Sequence, residues 1–440
     1  MSCRRGECGA HTKRHIVIMS ISRFHFYIGY VGVLLLLGVL FIFSDVSTYR
    51  LSLAQNPLTE WKLQRYADRM VATCKSMQYR PACYDREIPK LIDEGVSMED
   101  AFLITARVQS KDPTYVYCHV LGHNVSAKEA AKDPSSWDKV IARCPTGVCA
   151  NGCLHGAVQQ RFQDEVLTEK EVAQLLPDLA SACTPGKDRN YTPLEEAICY
   201  HGLGHLGVYA TGGNLSRALT LCSSLGAIAT DGEGGSIARM RCLEGAFMHV
   251  FQFIDAEDKA LVQDISPTSS KEAEVFCLGF SGEEQAVCHR ESWPLNSDSV
   301  KTPIGLTEFC SYSSNPRYMQ DCYNVLFNVI LAMFQYDQAT MTTLCEQLPA
   351  GRMAQCFAHA ASHYIDSNQD LVQEAASMCA VAAKHGVGDR CYSELLFFSV
   401  YSFHEKTPEF YRLCNALPTP WRGKCLRGDG HQISAHTLDI

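Results

Sequence analysis

From Phe24 to Phe43 the chain reads FHFYIGYVGVLLLLGVLFIF, twenty residues with no formal charge apart from what His25 can carry. At a rise of about 1.5 Å per residue such a run covers a bilayer core of about 30 Å, so it predicts one transmembrane helix. Arg4, Arg5, Lys13, Arg14 and Arg23 precede it against a lone Glu7, and Asp45 and then Arg50 follow. That asymmetry predicts a cytoplasmic N-terminus, a signal anchor and an extracytoplasmic body. The run exceeds the apolar stretch of a cleaved signal peptide, about 7 to 15 residues, and no A-x-A site follows it.

Further on, apolar residues recur in groups of helical length, and ten of these groups open at a cysteine: Cys83, Cys118, Cys153, Cys199, Cys242, Cys288, Cys322, Cys356, Cys391 and Cys425. The steps between them are 35, 35, 46, 43, 46, 34, 34, 35 and 34 residues. A step near 34 is the length of a helix–turn–helix repeat. Most of these cysteines have a mate upstream, and turn formers lie between the mates, as in CEQLPAGRMAQC from Cys345 and CNALPTPWRGKC from Cys414. A proline there ends one helix. Each unit therefore reads as a first helix ending at one cysteine, a turn, and a second helix starting at the next. The expected organisation is a cytoplasmic tail over 1–23, an anchor over 24–43, a juxtamembrane linker over 44–65, a Cys/His-rich repeat domain over 66–430 and a tail over 431–440. Loop-like additions at 184–193, 226–236 and 264–272 lengthen the middle repeats.

The 34-residue step of paired helices resembles tetratricopeptide and Sel1-like repeats, and the corner cysteines are similar to those of secreted cysteine-rich Sel1-like proteins of bacteria. The likeness runs from about Cys74 to Cys425 and is one of plan, since the tetratricopeptide W-x-x-L-G pattern is absent. It implies an all-α fold, an α-solenoid of about ten helical hairpins with a concave surface, and it carries over no functional residue.

Cysteine usage sharpens the compartment. The chain has 22 cysteines, and setting aside Cys3 and Cys8 before the anchor leaves an even number outside. In an oxidising compartment these read as disulfides. Spacing pairs Cys74 with Cys83, Cys144 with Cys153, Cys183 with Cys199, Cys222 with Cys242, Cys277 with Cys288, Cys310 with Cys322, Cys345 with Cys356, Cys379 with Cys391 and Cys414 with Cys425. Cys118 and Cys149 remain and are expected to bond each other. Thirty-nine Lys plus Arg against 48 Asp plus Glu give a net charge of −9, with 46% apolar residues. That balance suits a folded core and predicts no nucleic-acid partner.

The histidines carry the candidate chemistry. Sixteen histidines in 440 residues predict about 0.6 pairs at i and i+4 by chance, and four occur. One, His11 with His15, precedes the anchor; the others, His119 with His123, His201 with His205 and His359 with His363, each follow a second-helix cysteine closely, and His155 and His249 occupy similar places. Two imidazoles four apart on one helical face chelate a divalent ion, and neighbouring helices complete the shell. A place near a helix N-terminus also favours the neutral ring. His119, His123, His155, His201, His205 and His249 are therefore expected to line one metal site, mononuclear or binuclear, with zinc the first choice and copper or iron suited to the same donors. His359 and His363 form a second candidate. Gly122, Gly156, Gly202, Gly204 and Gly245 recur beside the histidines and imply close helix approach or room for a ligand.

No GxSxG, HExxH or CxxCH motif is present. Two functions follow from the pattern: a membrane-anchored scaffold binding a protein or peptide ligand with a structural metal, or a metal-dependent enzyme of hydrolase or oxidase type. Glu244, beside Gly245, is the first candidate base for the second. The run YSELLFFSVYSF after Cys391, with Glu394, reads as core packing.

Overall fold

The computed structural model describes residues 58–162, 166–185, 190–228, 233–253 and 256–434; the apolar run 24–43 and its flanks lie outside them. Among the described residues the protein is all-helical, and no helix is long and apolar enough to cross a membrane. The first helix, Glu60–Cys74, begins inside the stretch expected as linker and buries Leu63, Ala67, Met70 and Cys74 at helical spacing, which anchors it to the domain.

Ten hairpins follow one another. Their first helices start at strong caps: Ser97 accepts from the amide of Asp100, and Thr168 and Glu171 form a reciprocal capping box. Several second helices open with proline in the first turn, as in Pro193–Ala210 and Pro316–Met333. Contrary to the expected boundary, most second helices begin before their cysteine, which then sits inside the helix. Cys199 lies in Pro193–Ala210, Cys242 in Glu233–Phe251 and Cys356 in Ala350–Ser367. The staple thus joins the side of the second helix to the end of the first.

Among the described residues there are ten disulfides, and their pairing is the expected one. Nine close hairpin corners across separations of 9 to 20 residues, while Cys118–Cys149 joins two consecutive hairpins across 31. Loops of corner size contribute about 2–4 kcal/mol per bridge in the chain-entropy model.

The two helices of a hairpin have different environments. First helices are amphipathic and half exposed, whereas second helices are buried around most of their circumference; Pro193–Ala210 buries an almost unbroken run from Tyr200 to Ala210 apart from His201. Second helices of eight successive hairpins, from His119–Ala131 to Gly388–Tyr401, line one half-open cavity of about 300 Å³. The repeats therefore curl until early and late hairpins meet. Tyr117 shares the cavity wall with Phe398 and Tyr401. His404 Nε2 lies 3.4 Å from Glu195 and 3.3 Å from the Thr146 hydroxyl. At Gly147, in a positive-φ conformation, the amide of Gln369 occupies the place a Cβ would take. The stack of hairpins thus curves until its inner helices meet at a seam.

Between the histidine-bearing helices, glycines permit backbone contact. A Cβ at Gly156 would overlap the carbonyl oxygen of His123, and one at Gly245 the carbonyl oxygen of His201. Close approach explains both glycines, and space for a ligand is not their role. Gly156→Ala should lower stability by about 1–3 kcal/mol, because the added methyl forces the two inner helices apart. Denaturant unfolding with the disulfides intact measures this, and an unchanged midpoint would show that the contact is not tight.

Candidate metal centre

The site begins at an unusual turn. Cys149, Ala150 and Asn151 take φ values of 52°, 45° and 57°, three consecutive left-handed residues of which none is glycine. Each costs about 1–2 kcal/mol. The turn is held by the Cys118–Cys149 disulfide and by the Asn151 side-chain Oδ1, which accepts from the backbone N–H of Gly147 at 3.1 Å. It aims the Ala150 carbonyl at His119 Nδ1, 3.1 Å away. One hairpin further on, His155 Nε2 lies 3.0 Å from the carbonyl of Ile198.

A carbonyl only accepts, so these contacts assign the proton of His119 to Nδ1 and that of His155 to Nε2. Their other nitrogens carry lone pairs, and both face His123 Nε2, at 3.1 Å for His119 Nε2 and 3.0 Å for His155 Nδ1. His123 has one proton at most to offer there, so one lone pair remains unanswered. A cation on the shared side answers all three. Zinc–nitrogen bonds of about 2.0–2.1 Å at tetrahedral angles put donor atoms about 3.3 Å apart, within a few tenths of the two separations from His123 Nε2. His119, His123 and His155 together form a group whose ligand atoms all lie within 4.8 Å of one another.

Protonation does not supply that cation near neutral pH. Burial, then the neighbouring imidazoles, lowers His119 to about 4 and holds His123 and His155 well below the usual range. Neutral rings are what a metal requires. Helix position contributes less than expected, since His205 and His249 lie late in their helices; burial instead depresses His205.

The remaining three predicted ligands adjoin this group without converging. His201 stacks on His155 with ring centroids 5.2 Å apart. His205 turns Nε2 to His201 at 3.2 Å and Nδ1 to His249 Nδ1 at 3.5 Å. Because His205 uses opposite edges of its ring, His201, His205 and His249 do not share one point as a common ligand set. The expectation of six ligands narrows to three, with His201, His205 and His249 as a contiguous imidazole array beside them.

His359 and His363 engage separate partners. His359 Nδ1 lies 3.0 Å from Glu394, while His363 Nε2 faces the hydroxyls of Ser367 at 3.3 Å and Tyr336 at 3.5 Å. The two rings of this second candidate thus turn to different partners. Glu394 is not simple packing: it is fully buried, accepts from Ser362 at 2.8 Å and pairs with Arg390 at 3.1 Å.

Glu244 is clamped by Arg241 at 2.9 Å and Arg290 at 2.5 Å and faces His201 at 3.9 Å. Burial alone would raise its pKa, but the two guanidiniums outweigh burial and hold it far below the carboxylate range. A carboxylate so stabilised is a weak base, which corrects the role expected for Glu244. Asp366, also on the cavity wall, is pushed up to about 7 by burial, against the hydrogen bond from Ser402 at 2.7 Å. Burial raises Asp321 as well. Neither acid belongs to a local motif, and only ring closure brings them to the cavity. The same holds for Arg241 and Arg290.

Comparison with family models, curated proteins and solved structures finds no match. The geometry above therefore stands on this chain alone.

His119 depends on the carbonyl that the strained turn presents, and loss of such an outer partner typically weakens metal binding about 10–100-fold. Replacing Cys118 and Cys149 together with serine should produce a loss of that order in zinc affinity. Replacing Cys414 and Cys425, in the last hairpin, should leave affinity unchanged. Competition titration with a chelating indicator distinguishes the two, and equal affinities would separate the turn from the site.

Proposed function

We propose that this protein holds a divalent metal ion, zinc in the first instance, on His119, His123 and His155, and uses it on a small molecule within the cavity. The observation that carries this reading is that His119 Nε2 and His155 Nδ1 both face His123 Nε2, at 3.1 and 3.0 Å, with all three ligand atoms within 4.8 Å of one another. His119 and His155 also line the cavity, so an ion held by the three rings would adjoin the space a small molecule can enter. Three histidines plus an open position is the pattern of catalytic rather than structural zinc. The enzyme reading, hydrolase or oxidase in type, accordingly comes before the scaffold reading. A cavity of about 300 Å³ suits a small ligand better than a folded partner.

The scaffold reading keeps one support, an outer groove of about 680 Å³ lined by Leu278, Phe309 and Tyr312, where a peptide would dock.

Placement outside the cytoplasm on an N-terminal anchor is part of the same proposal, supported by the ten disulfides and the apolar, asymmetrically flanked run 24–43. An activity reporter fused to the C-terminus should be active only when it is a type that functions outside the cytoplasm. The opposite result rejects the topology.

Elemental analysis of the purified protein reconstituted with zinc should give one ion per chain. His123→Ala, which removes the shared nitrogen, should abolish stoichiometric binding, while His205→Ala should retain the ion. No metal above trace after reconstitution with zinc, copper or iron would end the proposal.

A further inference from the structure

The left-handed turn at 149–151 has few bonds of its own for the strain it carries. Three consecutive non-glycine residues keep positive φ there, and such strain persists only where the surroundings over-determine it. Besides the Cys118–Cys149 bridge, the local hold is the Gly147 N–H on Asn151 Oδ1 at 3.1 Å and the Asn151 N–H on the Val148 carbonyl at 3.0 Å. The turn packs against the helix it serves, His119–Ala131, and also against Ala350–Ser367 from a late hairpin. Just beyond that late helix, buried Gln369 sets its amide where a Cβ of Gly147 would stand. Gln369 is anchored in turn: its Nε2 donates to the Ser402 carbonyl at 2.8 Å, and the Ser402 hydroxyl donates to Asp366 on the cavity wall at 2.7 Å. Beside it, His404 Nε2 meets Thr146 at 3.3 Å and Glu195 at 3.4 Å.

We infer that Gln369 is a positioning residue for the metal centre, and that the seam between early and late hairpins governs how firmly the ion is held. The inference rests on the metal reading of His119, His123 and His155. Through Gly147, Gln369 confines a turn whose Ala150 carbonyl lies 3.1 Å from His119 Nδ1. A histidine ligand with a fixed outer partner keeps its tautomer and its ring orientation. When the seam loosens, the turn is free to relax toward ordinary φ and the carbonyl withdraws from His119. The helices that carry the ligands keep their own contact at Gly156, so the effect falls on the aim of His119 rather than on helix packing. No local motif marks Gln369, which reaches Gly147 only because the stack of hairpins curves.

The test uses the full-length protein with its disulfides intact and three measurements. Competition titration gives zinc affinity, the visible absorption of the cobalt(II)-substituted protein reports the shape of the donor set, and hydrogen–deuterium exchange without metal reports the hold on residues 146–151. Gln369→Ala should weaken zinc about 10-fold, shift the cobalt(II) bands and speed exchange over 146–151. Leu413→Ala, which opens a cavity in the buried core of the last hairpin, should lower stability yet leave all three measurements as in wild type. A merely structural role for Gln369 would make the two variants alike. His404→Ala removes the neighbouring contacts to Thr146 and Glu195 and carries the test, with the same expectations, if Gln369→Ala does not fold. Unchanged exchange over 146–151 in Gln369→Ala overturns the inference. So does faster exchange with unchanged zinc affinity and cobalt(II) bands, since the seam would then hold the turn without serving the site. If wild type binds neither zinc nor cobalt(II), the metal reading fails instead, and the exchange comparison alone decides whether the seam holds the turn.

Discussion

Backbone contact between successive inner helices is the constraint on which this structure turns. Where Gly156 lies on the carbonyl of His123 and Gly245 on that of His201, the helices are too close for any side chain to stand between them. Their imidazoles, projecting from the same edge, then have no choice but to meet. A wider separation would leave each pair of histidines four apart on its own helix, hydrogen-bonded to whatever lay nearby. At this separation His119, His123 and His155 from two helices share one point, and His201 stacks directly on His155.

Such proximity is unfavourable by itself, since it desolvates ionisable rings and sets lone pairs against each other. The fold answers from its covalent frame. Corner disulfides fix each second helix to its first, and the one bridge that departs from the corner pattern, Cys118–Cys149, secures the left-handed turn that orients His119. Rigidity is spent where the chemistry needs it. The strained turn and the convergent rings are the two places where local preference is overruled, and they are in direct contact through the Ala150 carbonyl.

Ring closure adds a second level of control. Groups on the cavity wall come from hairpins far apart in sequence, and burial assigns them different states: Glu244 is locked as an anion between two guanidiniums, Asp366 is pushed up to about 7, and His359 is oriented by Glu394. Distinct protonation behaviour among neighbouring acids is what separates structural charges from those available for proton transfer. Glu244, prominent in the sequence beside Gly245, falls into the first class; Asp366, inconspicuous there, falls into the second.

Periodicity and cysteine spacing determined the helical hairpins and the nine corner bridges, because a corner bridge is a local event between neighbours in sequence, and left Cys118 and Cys149 for each other. The i,i+4 histidines likewise announced themselves, since a helix places such residues on one face whatever surrounds it. What the sequence left open was how far the stack of hairpins would curve. Curvature accumulates from small rotations at each helix contact, and no single residue encodes it. Packing between neighbouring second helices distinguished His119, His123 and His155 from His201, His205 and His249 and set Arg290 on Glu244, and the curling of the stack brought Arg241, His359 and Asp366 to one cavity. Those assignments depend on distances between hairpins, which exist only once the chain has folded back on itself.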